Sequence, residues 1–169
     1  MQTIVQEKIN KKSGGKMKKL FVFVFLILCT LSFAKIQKIS KDQIKDVGDI
    51  TISILERAPF TGMVVDGKDR EYYVNGKPNG KWIAFYDNGK MKSIENWKNG
   101  MLNGKYILYN EKGKKVLETY YKNGIDNGKY AIYYDNGKPR IYGKIKNGIP
   151  VGKWKRYHAN GKLAGETKY

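Results

Sequence analysis

The order of glycine, polar and aromatic positions repeats every 24 residues from residue 75 to the end of the chain. Asn-Gly occurs at 75–76, 99–100, 123–124 and 147–148, and a second Gly follows each pair four residues later. Lys and an aromatic residue come next, then a second aromatic three positions on, and finally a Gly-Lys pair. So many positions in one register, without a gap, predict an array of equivalent structural units.

Two sets of repeated residues are expected to build these units. Glycine permits the positive φ of tight turns, and aromatic side chains favour half-buried strands. The predicted structural glycines are Gly76, Gly80, Gly89, Gly100, Gly104, Gly113, Gly124, Gly128, Gly137, Gly148, Gly152 and Gly161. The predicted repeat aromatics are Trp82, Phe85, Tyr106, Tyr109, Tyr130, Tyr133, Trp154 and Tyr157.

Each unit predicts a β-hairpin. In the first unit, residues 81–86 form a strand, Asp87-Asn88-Gly89 a turn, and residues 90–98 the return strand. Residues 99–104 form a wider connection to the next hairpin. Trp82 and Phe85 are three positions apart, so a regular strand would point them to opposite faces. Either a bulge intervenes or both faces carry aromatics, and the sequence leaves both alternatives open.

The fold class that follows is all-β: an elongated antiparallel meander or ribbon of about four hairpin repeats with a small N-terminal β cap. A lone hairpin is marginally stable, so the units must stack in order. Ile50, Ile52 and Ile54 alternate with polar residues and predict an edge strand. We expect a linker at 35–49, a cap with a degenerate repeat at 50–74, and repeats at 75–98, 99–122, 123–146 and 147–169, the last being a C-terminal cap.

The N-terminal region has the pattern of a signal peptide. Lys18 and Lys19 precede an apolar run that ends at Ser32-Phe33-Ala34, a small-x-small cleavage pattern. Residues 17–34 are therefore predicted to direct export to the periplasm or the outside of the cell, and a membrane anchor is the alternative. Cys29 follows Leu28 rather than a small residue, which disfavours lipidation. Residues 1–16 are interpreted as a non-native upstream extension, because Met17 suits a signal-peptide start.

The search for catalytic chemistry predicts no enzyme. His158, the single histidine, occupies a position that holds Tyr86 in the first repeat, and a metal site needs several converging ligands. Asp87, Glu111 and Asp135 are equivalent carboxylates, but Asp at this place is a turn residue. No glycine loop of the phosphate-binding type precedes a helix. We therefore expect no catalytic, cofactor-binding or metal site and no small-molecule substrate.

The charge balance predicts a basic surface. The chain has 33 basic and 15 acidic residues, and residues 75–169 contain twenty of the basic and seven of the acidic ones. Stacked lysine rows would attract an acidic membrane surface or another polyanion. Compositional bias and protection against aggregation would give the same pattern. The candidate polyanion contacts are Lys81, Lys90, Lys105, Lys114, Lys129, Lys138, Lys153 and Lys162.

The repeated motif N-G-x-x-x-G-x-W-x-x-Y-x-x-x-G-K resembles the bacterial variant of the MORN repeat found in the YwqK-type antitoxin family. The resemblance covers about residues 60–169, and the last repeat departs from it at Val151, Lys155 and Arg156. It implies a twisted antiparallel ribbon that acts as a binding surface, in some members as an antitoxin or immunity-type protein. Eukaryotic MORN segments are associated with acidic phospholipids.

Two functional hypotheses follow. The first is an exported, non-enzymatic protein-interaction module of the antitoxin or immunity kind, whose protein partner the sequence does not identify. The second is a peripheral binder of anionic lipid or polyanionic glycan. Nucleic acid is disfavoured as a partner, because an exported protein seldom meets it.

Overall fold

The computed structural model describes residues 36–169, and the predicted signal peptide and upstream extension lie outside the described residues. The described part is built from strands, with one 3-10 turn at Lys41–Gln43. No helix in this part of the chain is long and apolar enough to span a membrane. The strands are β1 Lys38–Ser40, β2 Ile44–Val47, β3 Ile50–Ser53, β4 Ala58–Pro59, β5 Gly62–Asp66, β6 Asp69–Val74, β7 Lys77–Pro78, β8 Gly80–Phe85, β9 Met91–Lys98, β10 Met101–Leu102, β11 Gly104–Tyr109, β12 Lys115–Lys122, β13 Ile125–Asp126, β14 Gly128–Tyr133, β15 Pro139–Lys146, β16 Ile149–Tyr157 and β17 Leu163–Lys168.

The main sheet is an antiparallel meander, as the 24-residue period predicts. Its strands lie in the order β1-β5-β6-β8-β9-β11-β12-β14-β15-β16-β17, with β7, β10 and β13 paired to β6, β9 and β12. The pairing of β1 with β5 is parallel, and the following pairs are antiparallel. Consecutive hairpins therefore lie side by side, and each repeat packs against its neighbours in sequence.

The connection between repeats is a tight turn, not the wide one that the sequence predicts. Asn99 and Gly100 both have positive φ, 51° and 82°, and Met101 pairs directly with Lys98 across them. Two successive residues with positive φ form a type I′ turn, whose twist matches that of the flanking strands. The other three Asn-Gly pairs have the same sign of φ at both residues.

Each Asn-Gly turn is tied to the preceding repeat by a backbone hydrogen bond. The Gly100 amide donates to the Pro78 carbonyl at 2.9 Å, and the Gly124 amide donates to the Leu102 carbonyl at 2.8 Å. Gly148 repeats this bond with Asp126 at 2.9 Å. The turns consequently form a ladder along one edge of the sheet, 24 residues to a step.

Residues 38–59 correct two expectations from the sequence. The predicted linker at 35–49 instead contains β1, the 3-10 turn and β2, because Lys38–Ser40 pairs with β5 and Ile44–Val47 pairs with β3. The predicted edge strand is the middle strand of a separate sheet, β2-β3-β4. Its buried side chains are Thr51 and Ser53 rather than the isoleucines, and Thr51 keeps a hydrogen-bond partner in Asp46 at 2.7 Å.

The best-packed core lies where this small sheet meets the first strands of the meander. Phe60, Val64 and Tyr73 are 0%, 1% and 5% exposed, and Ile44 and Trp82 pack against them. The Phe60 carbonyl also accepts the Gly76 amide at 2.8 Å, which makes this contact the first step of the turn ladder. The N-terminal segment thus covers the first repeat and starts the array.

Glycine is needed at Gly124 and Gly128 for two different physical reasons. A Cβ at Gly124 (φ 80°) meets nothing within 4 Å, whereas at Gly128 (φ 145°) it would lie 2.8 Å from Tyr120 Cβ. We expect Gly124→Ala to cost about 1–2 kcal/mol of unfolding free energy through backbone strain. Gly128→Ala should cost roughly 1–3 kcal/mol more through overpacking. Urea unfolding would measure both, and equal losses would contradict this distinction.

Candidate functional site

The two aromatics of each repeat lie on opposite faces of the sheet, so both sequence alternatives hold. Trp82 is paired with Glu95 on one face, and Phe85 with Met91 on the other. The register shifts between Ala84 and Phe85, which places one extra residue, Lys92, in the return strand as a bulge. The same shift recurs in the other three repeats.

One face carries the first aromatic of every repeat, with its rings in three contacting groups, and we call it the aromatic face. Ring centroids are 5.1 Å apart for Tyr73 and Trp82, 5.2 Å for Trp82 and Trp97, and 5.5 Å for Tyr130 and Trp154. A parallel aliphatic stripe lies beside the rings. The aromatic face is defined by Trp82, Trp97, Tyr106, Tyr121, Tyr130, Trp154 and Tyr169, with Leu108, Leu117, Ile132 and Ile141 as the aliphatic stripe.

Indole hydrogen bonds fix two of these rings to the neighbouring repeat. Trp82 Nε1 donates to the Tyr72 carbonyl at 2.8 Å, and Trp154 Nε1 donates to the Lys144 carbonyl at 3.2 Å. Trp97 instead donates to the Glu95 carboxylate at 3.0 Å, on the same face. Partial burial raises the pKa of Tyr106 and of Tyr121 above the usual tyrosine value. The three indoles of the aromatic face are therefore oriented by hydrogen bonds.

The opposite face is basic, and we call it the lysine face. The register places Lys81, Lys105, Lys129 and Lys153 on it, together with Lys98, Lys122, Lys144, Lys146, Lys155 and Lys168 from other strand positions. In β8–β17, no register-paired residue of the aromatic face is a lysine, and the bulge residue Lys92 has its Nζ 5.7 Å from the centroid of the Tyr86 ring. The candidate polyanion contacts therefore form two separate rows. One row lies on the lysine face, and the other follows the hairpin turns at the edge opposite the Asn-Gly ladder: Lys90, Lys114, Lys138 and Lys162.

The lysine face is only partly neutralised. Glu118 accepts from Lys115 at 2.8 Å and Lys105 at 3.1 Å, and the hydrogen bond from Lys115 lowers the pKa of Glu118 below the usual glutamate value. In contrast, Lys129 lies directly opposite Lys144. Like charges opposite each other on one sheet face are destabilising. This pair therefore weakens the fold in the absence of an anion.

The single histidine and the repeated carboxylates lie in or beside hairpin turns. No group of three His, Cys, Asp or Glu among residues 36–169 could hold a metal ion. His158 is exposed and precedes a hairpin turn, where its carbonyl accepts the Gly161 amide at 2.8 Å. Asp135 accepts the Asn110 amide and Lys112 Nζ from the preceding repeat, so it links two turns.

The sequence did not indicate that Gly143 belongs to the aromatic face. Gly143 is outside the repeated glycines, yet it is buried beneath Trp154, and a Cβ there would overlap the indole ring. Alignment of the repeats could have singled out this glycine, because the equivalent positions in the other repeats hold larger residues: Glu95, Thr119 and Thr167. The absent side chain is what allows the indole to lie against the sheet.

Gly143→Ala should displace Trp154 and cost about 1–3 kcal/mol of unfolding free energy, since a packed site resists added volume. Gly165→Ala is the matched control, because its Cβ would meet only Arg156 Nη2 at 3.6 Å, an ordinary contact. Chemical denaturation would give both losses, and the Trp154 indole resonance would report the displacement. A control variant as unstable as Gly143→Ala would show that the overlap is not the cause.

Residues 78–99 and 150–169 match the MORN repeat variant family. No curated protein matches the chain. The first stretch contains β8 and β9, and the second contains most of β16 and all of β17, so each match covers about one hairpin. MORN repeats are generally protein- or membrane-interaction modules and are typically non-catalytic. The two matches, joined by two hairpins of the same spacing, support a MORN-repeat protein.

Proposed function

We propose that this chain is an exported, non-enzymatic protein-interaction module of the antitoxin or immunity kind, which binds its partner through the aromatic face. One observation carries the proposal: the aliphatic stripe runs through repeats 2 and 3, beyond the segment that packs on the first repeat. Leu108, Leu117, Ile132 and Ile141 are all only partly buried. A contiguous exposed apolar surface of this kind is typical of an interaction site.

The residue types on this face also support a protein partner. Tyrosine and tryptophan are enriched at the centres of interfaces, where they provide large contact areas with few rotatable bonds. The indole hydrogen bonds at Trp82 and Trp154 hold two of the rings in place before a partner arrives. A preorganised ring loses less entropy on binding. Export and the antitoxin or immunity role rest on the signal-peptide pattern and the family resemblance.

The test compares two variants with equal numbers of apolar-to-polar changes. Leu108→Asn with Ile132→Asn alters the aromatic face, and Ile83→Asn with Ile107→Asn alters the lysine face. The wild type and the lysine-face variant should retain one protein from native extracts at low and high salt. The aromatic-face variant should bind it at least about tenfold more weakly, since two lost anchors cost on the order of 1–2 kcal/mol each. Circular dichroism would confirm that both variants fold.

A partner retained equally by all three proteins would place the binding surface elsewhere. If no protein is retained by the wild type, the interaction-module proposal fails.

A second candidate function is binding of an anionic surface, lipid or polyanionic glycan, by the lysine face. The observation that favours it is the direct opposition of like charges: Lys129 faces Lys144, and Lys153 faces Lys168. Each pair opposes folding, and phosphate groups of a membrane would relieve the repulsion. Lys153 also forms an ion pair with Glu166 at 3.2 Å, so the Lys129–Lys144 pair is the less neutralised of the two.

This candidate predicts opposite effects on stability and binding. Lys144→Glu with Lys168→Glu should raise the unfolding free energy by roughly 0.2–1 kcal/mol for each corrected pair. The same variant should bind phosphatidylserine-containing vesicles at least about tenfold more weakly, because a lysine near an anionic membrane contributes about 1 kcal/mol. Lys114→Glu with Lys162→Glu is the comparison variant: it makes the same change in net charge among the candidate contacts at the turn edge, so it separates binding by the lysine face from binding by that edge. Equal losses in both variants, or no vesicle binding by the wild type at about 0.15 M salt, would reject the candidate.

A further inference from the structure

The aromatic face has a groove between repeats 3 and 4, with a volume of about 480 Å³. Its floor and walls come from four neighbouring strands, β14 to β17. The lining residues are Tyr130, Ile132, Ile141, Ile145, Trp154, Arg156, Thr167 and Tyr169. All of them belong to the aromatic face, so the groove is a depression in the surface that we propose for partner binding.

The groove exists because repeats 3 and 4 carry small residues where the earlier repeats carry large ones. Ile145 occupies the position of Trp97 and Tyr121, and Gly143 that of Glu95 and Thr119. Gly165 lies opposite Arg156, so no side chain covers the guanidinium from the adjacent strand. The Trp154 indole fills the space above Gly143, and the smaller residues at 145 and 165 leave a local cavity beside that indole.

Arg156 gives the groove a charge that its surroundings lack. It occupies the position that holds Ala84, Leu108 and Ile132 in the other repeats, among register-paired residues that include no lysine on this face in β8–β17. It is exposed, and it forms no ion pair within residues 36–169. A planar guanidinium suits bidentate recognition of a carboxylate. The groove therefore combines an apolar end and an anion-binding end.

The distance between the apolar end and the anion-binding end matches the spacing of alternate side chains in an extended peptide. Trp154 and Arg156 are two residues apart on β16 and point to the same face, so their Cα atoms are separated by roughly 6.6 Å. Residues i and i+2 of an extended peptide have the same spacing and also share one side. Three isoleucines in the lining favour an apolar side chain over the hydroxyl groups of a sugar.

We propose that the groove is an anchor site for an extended segment of a partner protein, with a bulky aliphatic side chain against Trp154 and Ile145 and an Asp or Glu two residues later on Arg156. This inference rests on the proposed protein-interaction function and specifies both the site and the partner chemistry. It also accounts for the departure of the last repeat from the motif at Arg156.

The probe is the peptide acetyl-Gly-Leu-Ser-Asp-Gly-amide, titrated into the full chain while the Trp154 indole N–H resonance is followed. Saturable shifts of this resonance are expected. Replacing Asp by Asn in the peptide, or Arg156 by Leu in the protein, should weaken binding at least about tenfold, since hydrogen bonds between charged groups are stronger than neutral ones. Arg156→Lys should recover part of the loss. Replacing Leu by Ala in the peptide should weaken binding by a similar factor.

Ile145→Trp is the decisive variant, because it fills the groove with a residue that position 97 already accommodates in the same fold. Binding of the peptide should be lost while thermal unfolding remains cooperative. Equal binding to the wild type and Ile145→Trp, or no shift of the Trp154 resonance with any peptide, would overturn the inference. The proposed function would survive that failure if the protein retained from native extracts still bound the lysine-face variant more tightly than the aromatic-face variant.

Discussion

The Asn-Gly turn is the constraint on which the rest of this structure depends. Its two residues both adopt positive φ, which Asn tolerates and Gly favours, and this geometry closes a hairpin without splaying the strands. Because the glycine amide of each turn also bonds to the preceding repeat, one dipeptide sets the local reversal and the spacing between neighbours. The odd spacing of the two aromatics along the first strand of each unit places them on opposite faces, and the bulge in the return strand lies across from the second aromatic.

Segregation of side chains between the two faces follows from this geometry. Register pairs assign lysines to one face and rings with aliphatic residues to the other. Glu95, Asp126 and Arg156 are the charged residues that the register pairs in β8–β17 place on the aromatic face. A single-layer sheet can expose two chemically different surfaces at once, because nothing requires either to become the interior of a domain. Protein binding by one face and anion binding by the other are therefore compatible in a single molecule.

The repeats were predictable from the sequence, whereas the N-terminal segment and the groove were not. The 24-residue spacing fixed the hairpin register because Asn-Gly and Gly-Lys mark both ends of every strand. The edge-strand prediction from Ile50, Ile52 and Ile54 was wrong because alternation alone does not reveal which side of a strand is covered. There, Thr51 turns inward towards Asp46, and the Phe60 contact dominates the packing. Gly143 is informative only once the register shows that it lies beneath Trp154.

The backbone ladder along the Asn-Gly edge has a genetic consequence. Gly100, Gly124 and Gly148 make equivalent bonds to the preceding repeat, so an inner repeat meets the same junction on both sides. Unequal exchange between the repeated coding segments would lengthen or shorten both faces in 24-residue steps while leaving every junction intact. An insertion of another length within a strand would shift the pairing of that strand with its neighbours. Surface area is therefore a trait that can change by duplication alone, while the anchor beside Arg156 stays with the terminal unit.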